Sequence, residues 1–430
     1  MDLLISPCKQ LLTLSGSSSP RRGSAQGDLR IIEDGALWIA DQQIKQVGTA
    51  DEVNEALQGK HVNHISAEHY VVMPGFVDSH THSVFDRPRD RDYELRIRGN
   101  SYQEISQMGG GILSSVRAVR DSSAQHLFNV SKKRMLRFLE YGTTTIECKS
   151  GYGLSLEEEL KLLEVIHDLG KAVPLEIIAT FLGAHEVPEE YRNRKEDYVK
   201  LVGEVMIPEV AARKLARFCD CFVEDHVFPP SVAQQILTAA RDHGMKIKLH
   251  ADQLKRSGAT LLGVQMEAIS VDHLEQIDET DIKALAHSET IATLLPGSVF
   301  HLGSSHYPPA RELIDAGVPV ALATDFNPGT SPTVNQQMIL SIACTQMRMT
   351  PAEAIVAATL NGAHAVGMAQ NIGSIEAGKQ ADLCVMDVAH FSQIPYFFGM
   401  NHCVMTMKKG TIVYQRQKES HFPRTAQEHP

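Results

Sequence analysis

The chain has 430 residues, 43% of them hydrophobic and 22% charged, with a formal charge of −11 at pH 7. Those proportions describe a globular protein with a large core, and no run of 18 or more apolar residues offers a membrane span. The acidic balance excludes the broad basic face that a nucleic-acid partner requires; it leaves room for a small anionic substrate held by a local arginine cluster.

In chain order, the N-terminal text MDLLISPCKQLLTLSGSSSP has no basic segment ahead of its apolar start and is interrupted by Pro7, Cys8 and Lys9. It reads as a first strand and not as a signal peptide, so a cytoplasmic location is expected. Strand-like text continues through LLTLSG, GALWIADQQIKQVG and HVNHISAEHYVVMPG, and SGSSSPRRGSAQGD (15–28) reads as a mobile loop. Similar text returns in GSIEAGKQADLCVMDV (373–388) and CVMTMKKGTIVYQ (403–415). Residues 1–73 and 369–415 are therefore expected to form one small β-sandwich domain built from both chain ends. The polar tail from Arg416 to Pro430 is expected to be disordered.

Residues 74–368 differ. Eight short apolar runs occur at 71–80, 143–151, 176–185, 220–225, 246–252, 268–274, 291–297 and 319–326. Each is followed by helix-like text, with a long loop and helix between the first two. Strands alternating with helices pair in parallel, and eight of them predict an α/β fold of the closed (β/α)8 TIM-barrel type. Two of the intervening helices, 156–170 and 230–244, are amphipathic and are expected to end at a glycine. The seven cysteines include a C-x-C pair, Cys219 and Cys221, with no second pair to complete a zinc knuckle, so buried thiols in a reducing compartment are expected.

Polar residues gather at the ends of the apolar runs: His80 and His82, His185, His250 and Asp252, Asp272 and His273, and Asp325. In a barrel the C-terminal ends of all strands meet at one mouth. H-x-H on a strand turns both imidazoles to one face, because side chains alternate with period two. With His250 and Asp325 they make three nitrogens and one carboxylate oxygen, a set suited to Zn2+ or Fe with a position left for water. A lone histidine is more often a core or surface residue, and His61, His64, His69, His126 and His390 take that reading.

PGFVDSHTH, LHAD, VDHL and ATDFNPG match in order and spacing the amidohydrolase superfamily. Within it, GGGILSSV (109–116), ECKSGYGL (147–154), FLGAHEVP (181–188), LLPG (294–297) and ATDFNPGTSP (323–332) resemble the imidazolonepropionase family, over most of the chain. The resemblance implies one Zn2+ or Fe ion on His80, His82, His250 and Asp325, and places His273 beside the reacting carbonyl. It implies substrate contacts from Arg89, Tyr102, Tyr152, His185, Asn327, Gly329 and Thr330, with Arg89 on a propionate, and a homodimer. The two-metal relatives carry a carbamylated lysine on strand four; DCFVED has none, which favours a single metal. Gln253 stands where many members have Glu; it can donate and accept hydrogen bonds but cannot take a proton, so a substrate contact is expected of it. FDRPR (85–89) also departs from the family pattern. Arg91, Arg96 and Arg98 read as a solvated run of charge, and residues 83–115 as a lid candidate.

The implied reaction is hydrolysis of 4-imidazolone-5-propanoate to N-formimidoyl-L-glutamate in histidine degradation. Its needs are general: a metal brings the pKa of its water to about 7, Asp325 can accept that proton and pass it to the leaving ring nitrogen, and His273 can donate to the carbonyl oxygen as charge develops. Two alternatives remain at this point: a relative acting on another cyclic amide or deaminating an amino-heterocycle, and a metal-binding barrel without activity.

Overall fold

The computed structural model describes residues 2–16, 18–225 and 227–417, with the side chains of 102, 103 and 106 left out of the description. The chain opens with β1 (Leu3–Leu12), β2 (Ile31–Ala40), β3 (Gln43–Thr49) and β4 (Asn63–Pro74). The barrel strands follow: β5 (Phe76–Asp78), β6 (Thr143–Lys149), β7 (Glu176–Ala184), β8 (Phe218–Val223), β9 (Lys246–Ala251), β10 (Ser270–His273), β11 (Ile291–Leu294) and β12 (Val320–Leu322). The chain returns to the small sheet in β13 (Leu383–Met386), β14 (Cys403–Lys408) and β15 (Thr411–Gln415).

The small domain is one continuous sheet of order β15-β14-β13-β4-β1-β2-β3, in which only β1 and β4 run parallel. Both chain ends contribute, as the text of the termini suggests. Period-two alternation divides its residues between two cores: Val72, Leu383 and Val385 join the small-domain cluster, while Val71, Met73, Cys384 and Met386 face the large one.

The eight barrel strands pair in parallel in sequence order. The ring closes where Thr81 bridges Phe326: His82 N–H donates to the Phe326 carbonyl (2.8 Å) and Asp325 N–H to the His80 carbonyl (3.1 Å). The apolar run 71–80 is thus two strands and not one. β4 ends in the small sheet at Pro74, the chain turns at Gly75, and β5 starts the barrel. A Cβ at Gly75 would overlap the Thr144 side chain, so only glycine lets the two domains' strands approach this closely.

Three other expectations change. The segment 15–28, read as mobile, is docked over its second half: Arg21 and Gln26 are buried, Arg21 N–H donates to Asn361 Oδ1 (2.9 Å), and Val320 N–H donates to Gln26 Oε1 (3.2 Å). Gly170 lies inside its helix, Leu156–Ala172, which stops before Val173 and Pro174, because the residue preceding a proline disfavours the helical region. The second helix, Pro230–Asp242, does meet a left-handed glycine, Gly244 at φ +79°. Arg416, assigned to the tail, is tied to the small sheet through its N–H on the Val404 carbonyl and an ion pair with Asp387 (both 2.8 Å); residues 418–430 of that tail lie outside the described residues. All seven cysteines are free thiols, with Cys219 and Cys221 buried in β8. Among the described residues no helix is long and apolar enough to cross a membrane.

Candidate metal centre and active site

β5 stops at Asp78, and the next residues carry the H-x-H pair into the barrel mouth. His80 Nε2 lies 3.3 Å from His82 Nε2, which lies 3.4 Å from His250 Nε2 at the end of β9. Asp325 Oδ1, beyond β12, stands 3.6 Å from His80 Nε2 and 3.7 Å from His82 Nε2. All four side chains are buried.

The orientation of the rings shows what this cluster fits. His80 Nδ1 faces Asp272 Oδ2 at 2.6 Å, and His250 Nδ1 faces Asp220 at 3.1–3.2 Å. A carboxylate at Nδ1 keeps the proton there and leaves a lone pair on Nε2. Burial, and then Lys149, hold the pKa of His80 well below the imidazole range; burial, and then His185, do the same for His82. Neutral imidazoles are the form a cation needs. Lone pairs converging at 3.3–3.4 Å repel one another unless a cation lies between them, and ligands about 2.0–2.1 Å from a tetrahedral zinc stand about 3.3–3.4 Å apart. Burial pushes the Asp325 carboxyl up to about 6 against the lowering effect of His273 and His250.

The sequence does not reveal what holds this cluster in place. Lys149 Nζ lies 2.7 Å from both Glu147 Oε1 and Asp220 Oδ2 and 3.9 Å from Asp272 Oδ2; Lys248 Nζ lies 3.7 Å from Asp272 Oδ2 and donates to the Ser79 carbonyl (2.9 Å). All of these side chains are fully buried. The carboxylates orienting the histidines are therefore themselves fixed by two buried ammonium groups. Their signal was present as charged residues alternating with apolar ones on β6, β8 and β9.

Around the metal-type cluster the expected substrate residues fall as follows. His185 stacks on His82 (5.1 Å between centroids, 18°) with its Nδ1 on the Gly151 carbonyl (2.9 Å). Tyr152 is buried with its ring 6.0 Å from His82. The SGYG turn around it is shaped by Glu159, which accepts from the N–H groups of Gly151 (3.0 and 3.2 Å), Gly153 and Leu154 (2.8 Å each). His273 has its Nδ1 3.3 Å from Glu275 Oε1; burial opposes its charge, but Glu275, Asp325 and Asp272 outweigh it and raise its pKa. Asp252 is no part of the cluster: its carboxylate accepts from Ser257, Gly258 and Thr260 and shapes the loop after β9. Gln253 is half-buried beside it. Tyr102 opens the helix Tyr102–Gln107, and its side chain lies outside the described ones.

Asn327 spends its amide on its own loop: Nδ2 donates to the Asp325 carbonyl (2.7 Å) and Thr330 Oγ1 (2.9 Å), and Oδ1 accepts from Gly329 and Thr330 N–H (2.8 and 2.7 Å). That loop presents Gly329 to Arg89, whose own N–H donates to the Pro328 carbonyl (2.8 Å). Arg89 Nε is buried with no hydrogen-bond partner among the described residues. A Cβ on Gly329 would overlap the Arg89 guanidinium. Gly329→Ala is therefore expected to displace Arg89 and raise KM for an anionic substrate about 10- to 100-fold, the loss of one or more charge-assisted hydrogen bonds, with kcat changed much less; equal KM in steady-state kinetics refutes this. Of the arginines read as solvated, Arg91 and Arg98 are exposed, but Arg96 turns inward to His301 Nδ1 (3.3 Å) and the Gly329 carbonyl (3.5 Å).

A parallel eight-stranded barrel that gathers three neutral imidazoles and a carboxylate at its mouth defines a metal-dependent hydrolase. The sequence matches the amidohydrolase family over residues 71–413. It is 45% identical over 419 residues to an imidazolonepropionase of Geobacillus thermodenitrificans (strain NG80-2), spanning 97% of this chain and 99% of that one. It is also 45% identical over 415 residues to one of Solibacter usitatus (strain Ellin6076), spanning 96% and 99%. A zinc-bound adenosine deaminase from Xanthomonas campestris shares the fold, with a TM-score of 0.71 at 18% identity, over 96% of this chain and 92% of that one. The chain belongs to the imidazolonepropionase family of amidohydrolases. A metal cofactor follows from that membership, and the histidine cluster is where the residues fit one.

Proposed function

We propose that the protein hydrolyses 4-imidazolone-5-propanoate to N-formimidoyl-L-glutamate in histidine degradation. The observation that carries this reading is the pairing, at one mouth, of the metal-type cluster with a guanidinium whose Nε is buried and, among the described residues, unpartnered. A planar guanidinium matches a carboxylate through parallel hydrogen bonds, so Arg89 binds the propionate and thereby sets the ring over the histidines. Tyr152 and His185 wall the ring, Gln253 contacts it, and Asn327 and Thr330 keep the Gly329 turn that seats Arg89.

His80, His82, His250 and Asp325 would hold one Zn2+ or Fe ion, which would supply water acidified to a pKa of about 7. Asp325 takes the proton from the attacking water and delivers it to the ring nitrogen as the C–N bond breaks. His273 donates to the carbonyl oxygen while negative charge builds there. The substrate is a small anion, no nucleic acid or membrane takes part, and the enzyme acts as a cytoplasmic homodimer.

Loss of the ring chromophore on addition of freshly generated 4-imidazolone-5-propanoate tests the assignment. Rapid loss is expected; an inert enzyme with one equivalent of metal bound overturns the substrate and turns attention to other cyclic amides and amino-heterocycles. A strong chelator is expected to abolish turnover, and one equivalent of Zn2+ or Fe2+ to restore it; chelator-resistant turnover contradicts the metal assignment.

A further inference from the structure

β10 ends in an unusual turn. His273 and Leu274 both adopt left-handed backbone, at φ +87° and +71°, a conformation that costs non-glycine residues energy and persists where the surroundings enforce it. Two hydrogen bonds enforce it here: Leu274 N–H to the Ala251 carbonyl (3.1 Å) and Gln276 N–H to the Asp252 carbonyl (2.9 Å). The turn brings the side chains of His273 and Glu275 together, with Glu275 Oε1 3.3 Å from His273 Nδ1. Both are buried, at 2% and 6% exposure.

A carboxylate withdrawn from water is costly unless something compensates it. Glu275 has one oxygen on His273, and its other, Oε2, is buried without a hydrogen-bond partner among the described residues. Its packing satisfies no helix cap or loop, in contrast to Asp252 and Glu159. What the carboxylate does accomplish is to orient an imidazole whose ring lies 5.6 Å from that of His80 and 5.3 Å from that of His250.

We propose that Glu275 is a positioning residue of the hydrolytic site: it holds the His273 ring through Nδ1–H and leaves Nε2 as the nitrogen offered to the substrate carbonyl. The role parallels that of Asp272 and Asp220 in fixing a ring through Nδ1–H; it differs in that His273 carries a second proton on Nε2, the one donated to the carbonyl oxygen, where the metal-type histidines leave Nε2 bare. An imidazole free to flip about its Cβ–Cγ bond presents either nitrogen; one tied by Nδ1 presents a single one. The inference rests on the hydrolase reading above, so its test includes a readout independent of turnover.

Metal-loaded wild type is compared with Glu275→Leu, Glu275→Gln, His273→Ala and the His273→Ala/Glu275→Leu double variant, each with its metal content measured. Glu275→Leu is expected to lower kcat about 10- to 100-fold, the usual loss on removing such an orienting partner, with KM and metal content little changed. Glu275→Gln should recover most of this, because its amide oxygen still accepts from Nδ1–H. In the His273→Ala background, Glu275→Leu should cost less than about twofold, since residues acting through one another are not additive. Full additivity, or a Gln variant as slow as Leu, overturns the proposal. In parallel, 15N-histidine NMR, with the His273 signal assigned by its loss in His273→Ala, should show a protonated Nδ1 in wild type and Glu275→Gln that is lost in Glu275→Leu. A bare Nδ1 in wild type overturns the proposal even if the enzyme is inert toward 4-imidazolone-5-propanoate, whereas an inert enzyme with the expected NMR pattern sinks the substrate assignment alone.

Discussion

Asp325→Asn is expected to reduce kcat by about 1,000-fold, the scale of losing a general base that also stands in the reaction's charge field. The replacement is nearly isosteric. It keeps the backbone hydrogen bond by which Asp325 N–H closes the barrel on the His80 carbonyl, and the bond its own carbonyl accepts from Asn327 Nδ2 in the following loop. It removes the negative charge beside His80 and His82 and the atom able to take a proton. Metal content measured on the same preparation separates the two roles: full metal with no turnover isolates the proton transfer, and lost metal shows that the carboxylate also secures the ion. Turnover within tenfold of wild type contradicts both.

Lys149→Met is expected to cost about 3–5 kcal/mol of stability, because removing one member of a buried ionic cluster strands the others without water. Burial alone would lower the pKa of Lys149, yet Asp220, Glu147 and Asp272 outweigh it and hold the ammonium charged. Without that cation three buried carboxylates repel one another, and the two that orient His80 and His250 lose their anchor. A fall in metal affinity of about 10- to 100-fold should follow. Urea unfolding of the metal-free protein measures the first effect, and competition with a chelator of known affinity the second. A variant as stable as wild type would show that Lys248 and the neighbouring hydroxyls suffice.

The alternating text from 74 to 368 determined the barrel, because local periodicity alone tells a buried parallel strand from an amphipathic helix. The eight apolar runs supply the eight barrel strands, the first of them also the end of β4, and the polar residues at or just beyond the ends of β5, β7, β9, β10 and β12 reached the mouth, since parallel strands must end on one side. The convergence of His80, His82, His250 and Asp325 was legible on that ground; Arg89 and Tyr152 were named only through the family resemblance, and FDRPR departs from its pattern. What the sequence by itself could not determine is what depends on chain segments meeting from afar. Lys149 against Asp220 and Asp272, Arg89 over Gly329, Arg21 on Asn361 and Gln26 on Val320 are contacts between residues that carry no mutual spacing. The break at Gly75 did carry a local signal, the Pro74-Gly75 dipeptide, but only the approach of Thr144 shows why a glycine is needed there. Local alternation decides which face a side chain takes; only the closed barrel decides which charge meets it there, because the cost of burying that charge is settled by partners brought in from other strands.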